Sequence, residues 1–263
     1  MLAGVLAGNL MAVSARATVT KPAALAARSA HRSAGPTMID GDSPSFGRPT
    51  GATRPEQTGG VGLPPAPGGR LTRISPAGGA IALTFDDGPD PRWTGQVLAL
   101  LAQYRMHATF CLIGTYARKY PALVRQIVAR GNSLCDHTFT HDEHVGSRPV
   151  LQIRAQLESA YAAITAASGG VPPRYFRAPA GRWTPALLSE SRAEGMTPLG
   201  WSVDPRDWAR PGTPAITAAV LRSLKPGSIV LMHDGYGRRD QSVAALRQML
   251  PVLVARRLHS VAL

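Results

Sequence analysis

From residue 80 onward, short apolar runs alternate with stretches long enough to be helices, and this alternation limits the possible folds more than any other feature of the chain. The runs at 80–85, 108–113, 133–135, 175–176, 198–203, 228–232 and 259–262 have strand length or less. Between them, 94–104, 122–130, 150–167, 185–194, 214–224 and 242–256 carry helix-like apolar spacing. Strands joined through helices cannot pair as tight hairpins, so they build a parallel sheet by crossovers. No Gly-x-Gly-x-x-Gly loop follows the first run, which removes the main support for a dinucleotide fold. The expectation is an α/β chain, a distorted (β/α) barrel of about seven parallel strands.

Polar residues fall at the ends of these strands. Asp86 and Asp87, in Thr84-Phe85-Asp86-Asp87-Gly88, follow the first run, and His137 and His141 follow the third. Arg177 follows 175–176, Asp204 and Asp207 follow 198–203, and His233 and Asp234 follow 228–232. Strand ends of a parallel barrel share one rim, the rim on which such folds build their sites. Asp-Asp-Gly alone is ordinary turn chemistry. Five strand ends in register are not.

Each set has a chemical use. His137 and His141, spaced i and i+4, are expected to face the same way from one helical turn. With Asp87 they make a three-ligand set suited to Zn²⁺ with coordination left open. Zn²⁺ lowers the pKa of bound water, and Asp86 would take the proton as general base. Two ionised carboxylates in one pocket repel, so a cation is needed beside the base; Arg177 is the candidate. Burial would make His233 a poor proton donor, but a carboxylate partner, Asp207, would restore it as the general acid. Trp208 is expected to form an apolar wall beside it, and His144 to be an exposed neighbour.

The rest of the chain reads differently. Residues 1–13 are apolar and precede Ser14-Ala15-Arg16-Ala17, so 1–17 is expected to be a signal peptide, incomplete because the basic n-region is missing. The stretch is too short to span a bilayer, so no stable membrane span is expected and the protein is placed in the envelope or outside the cell. Residues 18–75, rich in Ala, Pro, Gly, Ser and Thr, are expected to be a disordered linker, with the catalytic domain at 76–263. The net charge of +13 is spread evenly, almost all as arginine, with no basic block. This suits an anionic wall and argues against nucleic acid as a partner. Cys111 and Cys135 lie in neighbouring runs. A disulfide would suit an exported protein, but side chains on adjacent parallel strands seldom align for one, so two buried free thiols are expected. A monomer is favoured.

Taken in order, these blocks resemble the polysaccharide deacetylase (NodB-homology) family, carbohydrate esterase family 4, from about residue 81 to the end. TFDDG (84–88) resembles the first block, with Asp86 as base and Asp87 as ligand; His137-Thr138-Phe139-Thr140-His141 resembles the second. Arg177-Ala178-Pro179-Ala180-Gly181, Asp204-Pro205-Arg206-Asp207-Trp208 and Leu231-Met232-His233 resemble the other three. The resemblance implies that Leu231 lines an acetyl-methyl pocket and that the backbone N–H of Ala180 helps hold the oxyanion. The family usually has an aromatic residue where this chain has Ala180, so one wall of the substrate groove is missing. What is implied is metal-dependent removal of acetyl groups from N-acetylglucosamine-type residues of a peptidoglycan or chitin-like polymer. The alternatives are an O-acetyl esterase on acetylxylan or wall glycan, and a non-catalytic carbohydrate-binding protein.

Overall fold

A computed structural model describes residues 69–263; the expected signal peptide and residues 18–68 of the expected linker lie outside the described residues. Strand β1 (Ala80–Gly88) is buried along its whole length, as are β2 (Ala108–Leu112) and β6 (Ile229–His233). A strand covered on both faces reads as a continuous apolar run, which is why these stretches lack alternating polarity. The alternation is instead one of size. Ala80 and Ala82 point into the barrel with Cys111, Cys135, Leu199 and Ile229. Ile81, Leu83 and Phe85 point outward into the larger core with Phe110, Leu112, Val230 and Met232.

The remaining strands are β3 (Ser133–Asp136), β4 (Tyr175–Phe176), β5 (Thr197–Pro198) and β7 (His259–Ser260). All pairings are parallel, in the order β5-β4-β3-β2-β1-β6, with β7 against the start of β1. The sheet curls into a half-barrel. Past β5 the chain crosses the opening, so the expected strand at 198–203 is the end of a short strand followed by two isolated bridges, Leu199 to Leu71 and Val203 to Val230 of β6. The helices are α1 (Thr94–Gln103), α2 (Gly114–Lys119), α3 (Pro121–Ala129), α4 (Val150–Ser168), α5 (Pro185–Ala193), α6 (Thr213–Ser223) and α7 (Asp240–Ala255). Sequence periodicity misses α2, which buries only Gly114 and Ala117 and so carries no apolar stripe. Thr184 caps α5 by accepting the Leu187 N–H at 3.2 Å, with Pro185 at the first helical position. None of the described helices is long and apolar enough to cross a membrane.

Two expectations change. Residues 69–75, assigned to the linker on composition, are part of the fold. Leu71 and Ile74 are buried; Leu71 exchanges hydrogen bonds with Pro198 and Gly200 at 2.8 Å, and the Ile74 N–H bonds Gly227 at 2.9 Å. Two apolar residues in a Pro- and Gly-rich stretch leave no periodic signal, yet they cover the interior that the short β5 leaves open. The cysteines are also paired: Cys111 and Cys135 form a disulfide, with Cα atoms 4.1 Å apart. They are direct register partners on β2 and β3, so both side chains point to the same interior face. The free-thiol expectation assumed diverging side-chain vectors, and this register removes the divergence.

Candidate active site

Consecutive residues of a regular strand point to opposite faces, so Asp86 and Asp87 could not serve one site from an undistorted β1. The ladder slips at this point. Asp86 pairs with Cys111 and Gly88 with Leu112, leaving Asp87 as the extra residue of a bulge, with φ of 74°. The bulge turns both carboxylates into the barrel mouth.

Arg177, with no exposed surface, occupies the interior beneath them. Its Nη1 donates to Asp86 Oδ1 at 2.6 Å and to Thr84 Oγ1 at 2.9 Å, and its Nε and Nη2 donate to the carbonyls of Leu199 and Gly200. A buried charge is tolerable only when paired and hydrogen-bonded in this way. Asp86 Oδ2 faces His137 Nε2 at 3.8 Å.

The Arg177 carbonyl accepts a hydrogen bond from His137 Nδ1 at 2.8 Å. A carbonyl cannot donate, so Nδ1 carries a proton, and in the neutral ring that binds a metal Nε2 is the nitrogen left to act as ligand, facing Asp87. Asp87 Oδ1 lies 3.5 Å from that Nε2 and 3.2 Å from His141 Nε2. Although buried, it accepts no well-formed hydrogen bond. One potential ligand atom from each of these three residues lies within 4.8 Å of the others. An orphaned buried carboxylate oxygen facing two imidazole nitrogens is the donor set that a divalent cation such as Zn²⁺ takes. The residues therefore fit a metal ion. Burial opposes ionisation of Asp87, but the imidazoles of His137, His141 and His233 outweigh it and hold the carboxyl well below its usual range.

The two histidines converge for a different reason from the one expected. Residues 137–144 form a loop with no helical turn, in which Thr138 has φ of 65° and His141 of 61°. Asp136 Oδ1 accepts the Thr138 N–H at 2.7 Å, and Thr138 Oγ1 accepts the His141 N–H at 3.1 Å. These side-chain bonds stabilise a turn in preference to a helix. His144 is exposed, as expected.

Across the cleft, His233 Nδ1 donates to Asp207 Oδ1 at 2.7 Å. Asp207 Oδ2 accepts the His233 backbone N–H at 3.0 Å and the Ser242 hydroxyl at 2.6 Å. Burial disfavours the charged imidazole, but the Asp207 carboxylate overcomes it and the His233 pKa is pushed up to about 9. For Asp207 burial is likewise outweighed, chiefly by the His233 charge, and its pKa is lowered. The neighbouring Asp234 is fully buried, which pushes it up to about 7, although Thr94 donates a hydrogen bond to it.

Asp86, Asp87, His137, His141 and His233 open into one cleft of about 510 Å³, lined also by Ala180, Trp201, Trp208, Leu231, Tyr236 and Arg239. That is the size of a small-ligand site. Ala180 is exposed at its edge in a left-handed turn, with φ of 50°. Leu231 is buried in the wall, and Trp208 stands 48% exposed at the mouth. Every site residue expected from the sequence thus reaches this cleft except Arg177 and Asp207, which lie behind it against Asp86 and His233.

A family model described as polysaccharide deacetylase matches residues 73–199. A chitooligosaccharide deacetylase of Bradyrhizobium sp. (strain ANU 289) is 43% identical over 188 residues, covering 67% of this chain and 85% of the relative. The chain belongs to the polysaccharide deacetylase family. Like that family it is a hydrolase. A peptidoglycan-N-acetylglucosamine deacetylase of Bacillus cereus (strain ATCC 14579) is 39% identical over 182 residues, covering 66% of this chain and 81% of the relative. A solved family 4 carbohydrate esterase from Streptomyces lividans, in complex with acetate, superposes with a TM-score of 0.64 at 35% identity, covering 69% of this chain and 91% of that one.

Sequence reading of this deacetylase missed Ser242, Tyr236 and Arg239. Ser242 and Arg239 are one serine and one arginine among many, and only the fold brings them to Asp207 and Asp87. Tyr236 follows the last polar strand end by three residues, and an aromatic residue there was the one local signal available.

Proposed function

We propose that this deacetylase removes acetyl groups from N-acetylglucosamine-type residues of a chitin-like or peptidoglycan polymer. The observation that carries the reading is the pairing of opposite charges on the two sides of one cleft. A base candidate, Asp86, is braced by a buried arginine, and an acid candidate, His233, is held protonated by a buried aspartate. The names of the two relatives support the substrate class.

A divalent cation held by Asp87, His137 and His141, which we take to be Zn²⁺, would lower the pKa of water and polarise the acetyl carbonyl. Asp86, braced by Arg177, accepts the proton of the attacking water. The Ala180 N–H donates to the carbonyl oxygen as it gains negative charge. His233 delivers its proton to the departing nitrogen from Nε2, while Nδ1 stays bonded to Asp207. Leu231 receives the methyl group, and Trp208 offers a face to the sugar. An amide nitrogen leaves poorly without a proton, whereas an alkoxide needs less help. An acid held protonated beside Asp207 supplies the help that an amide leaving group needs. The disulfide supports an exported or envelope protein, since such bonds persist in oxidising compartments.

The test is acetate release measured side by side on chitooligosaccharides, peptidoglycan and acetylxylan, with and without a chelator. Release from the first two should stop with chelation and return with Zn²⁺, and Asp86→Ala should lower kcat at least 100-fold, in the range expected of a general base. Wild-type rates from the Asp86→Ala protein would refute the mechanism. Release from acetylxylan alone would establish the esterase, and glycan binding without any release would establish a binding protein.

A further inference from the structure

The two carboxylates at the tip of β1 do not share one arginine. Asp86 has Arg177, and Asp87 has Arg239, the residue immediately before α7. The Arg239 side chain is only 7% exposed. Its Nε donates to the Gly235 carbonyl at 2.6 Å, and its Nη2 donates to the Tyr236 carbonyl at 3.2 Å and to Asp87 Oδ2 at 3.3 Å. The two carbonyls take up donors but no charge. Asp87 is the carboxylate that the guanidinium faces.

The contact is selective for one oxygen. Oδ2 faces Arg239, while Oδ1 faces both imidazoles and accepts no hydrogen bond. The loop supplying the arginine is pressed onto the tip of β1: any Cβ at Gly235 would collide with the Asp87 carbonyl. The same loop also reaches a second ligand, because the Tyr236 ring lies 5.3 Å from that of His141. Tyr236 holds φ of 49°, a conformation unfavourable for a bulky side chain.

We propose that Arg239 is a positioning residue for the metal centre, engaging Asp87 Oδ2 so that Oδ1 alone is presented to the ion. This rests on the metal-centre reading above. Through Arg239 and Tyr236, the loop between β6 and α7 then backs two of the three ligands, and the Arg177 carbonyl backs the third. Partners of this kind fix ligand orientation, and their loss typically weakens metal affinity about 10–100-fold.

The test compares wild type, Asp87→Ala, Arg239→Gln and Arg239→Lys, each stripped of metal and checked for folding by circular dichroism. Zn²⁺ affinity is read by competition with a chromophoric chelator, and ligand geometry by the visible spectrum of Co²⁺ bound in place of Zn²⁺. Arg239→Gln is expected to bind Zn²⁺ about 10–100-fold more weakly, with an altered Co²⁺ spectrum. Arg239→Lys, which keeps the charge but loses the planar fork, is expected to fall between it and wild type. A folded Arg239→Gln protein with wild-type affinity and an unchanged spectrum overturns the proposal. Metal-free unfolding of both arginine variants also overturns it, because the residue would then hold the fold and not the ligand. Wild type and Asp87→Ala binding Zn²⁺ equally would instead overturn the metal-centre reading beneath it.

Discussion

Replacing Asp207 with asparagine isolates the charge that keeps His233 protonated. Asparagine has nearly the same shape, and its side-chain carbonyl can still accept the bond from Nδ1, which is 2.7 Å long in the native pair. What disappears is the negative charge. The native pKa is about 9 against an ordinary 6.5, a gap of about 2.5 pH units or about 3 kcal/mol. The Asp207 carboxylate supplies most of the rise, with Asp87 and Asp86 adding less, and burial opposes all three. Without Asp207, burial is left largely uncompensated and the pKa should fall to about 6.5 or lower. At pH 8 the protonated fraction then drops from about 0.9 to about 0.03, a loss of about 30-fold from this cause alone. The sign is fixed by the raised pKa: a step that needs the protonated form loses rate as pH rises through about 9 in wild type, and through about 6.5 in the variant. The assay is kcat for acetate release from a chitooligosaccharide between pH 5 and 10. The descending limb should move acidward by two units or more, and the deficit should narrow below pH 6. A limb that stays near pH 9 in Asp207→Asn would refute the assignment of His233 as the acid held by Asp207.

Two further measurements address the frame around the site. Arg177→Met leaves the Asp86 carboxylate buried without its cation, and should cost about 3–5 kcal/mol in chemical denaturation as well as activity; unchanged stability would show that Asp86 finds another partner. Unreduced protein unfolded in denaturant should expose no titratable thiol, and Cys111→Ser should lower stability by about 3 kcal/mol, given a sequence separation of 24 residues. Two thiols found without reductant would restore the free-cysteine reading.

The fold was largely legible because its strands are short, doubly buried and separated by amphipathic helices, so that each appears as a distinct apolar block. The site was legible for a related reason: its residues close those blocks, and Asp86, Asp87, Arg177 and His233 meet at one rim without long-range detail. Features that depend on departures from regular geometry were hidden. The spacing of His137 and His141 suits a helical turn, but Asp136 and Thr138 bond the local backbone and favour a loop. Leu71 and Ile74 have no apolar neighbours in sequence to mark them as core. Ser242 and Arg239 act across the fold on groups far away in the chain, and their residue types are too common to stand out.

One contact at the centre would escape any scan that replaces side chains. His137 is oriented by the main-chain carbonyl of residue 177, while Asp86 is braced by that residue's guanidinium. Every amino acid carries the carbonyl, so substitution at 177 changes the bracing of the base and leaves the tautomer of the histidine in place. Two properties that meet in one residue are thus free to drift apart, one written in the genetic code and the other in the path of the backbone.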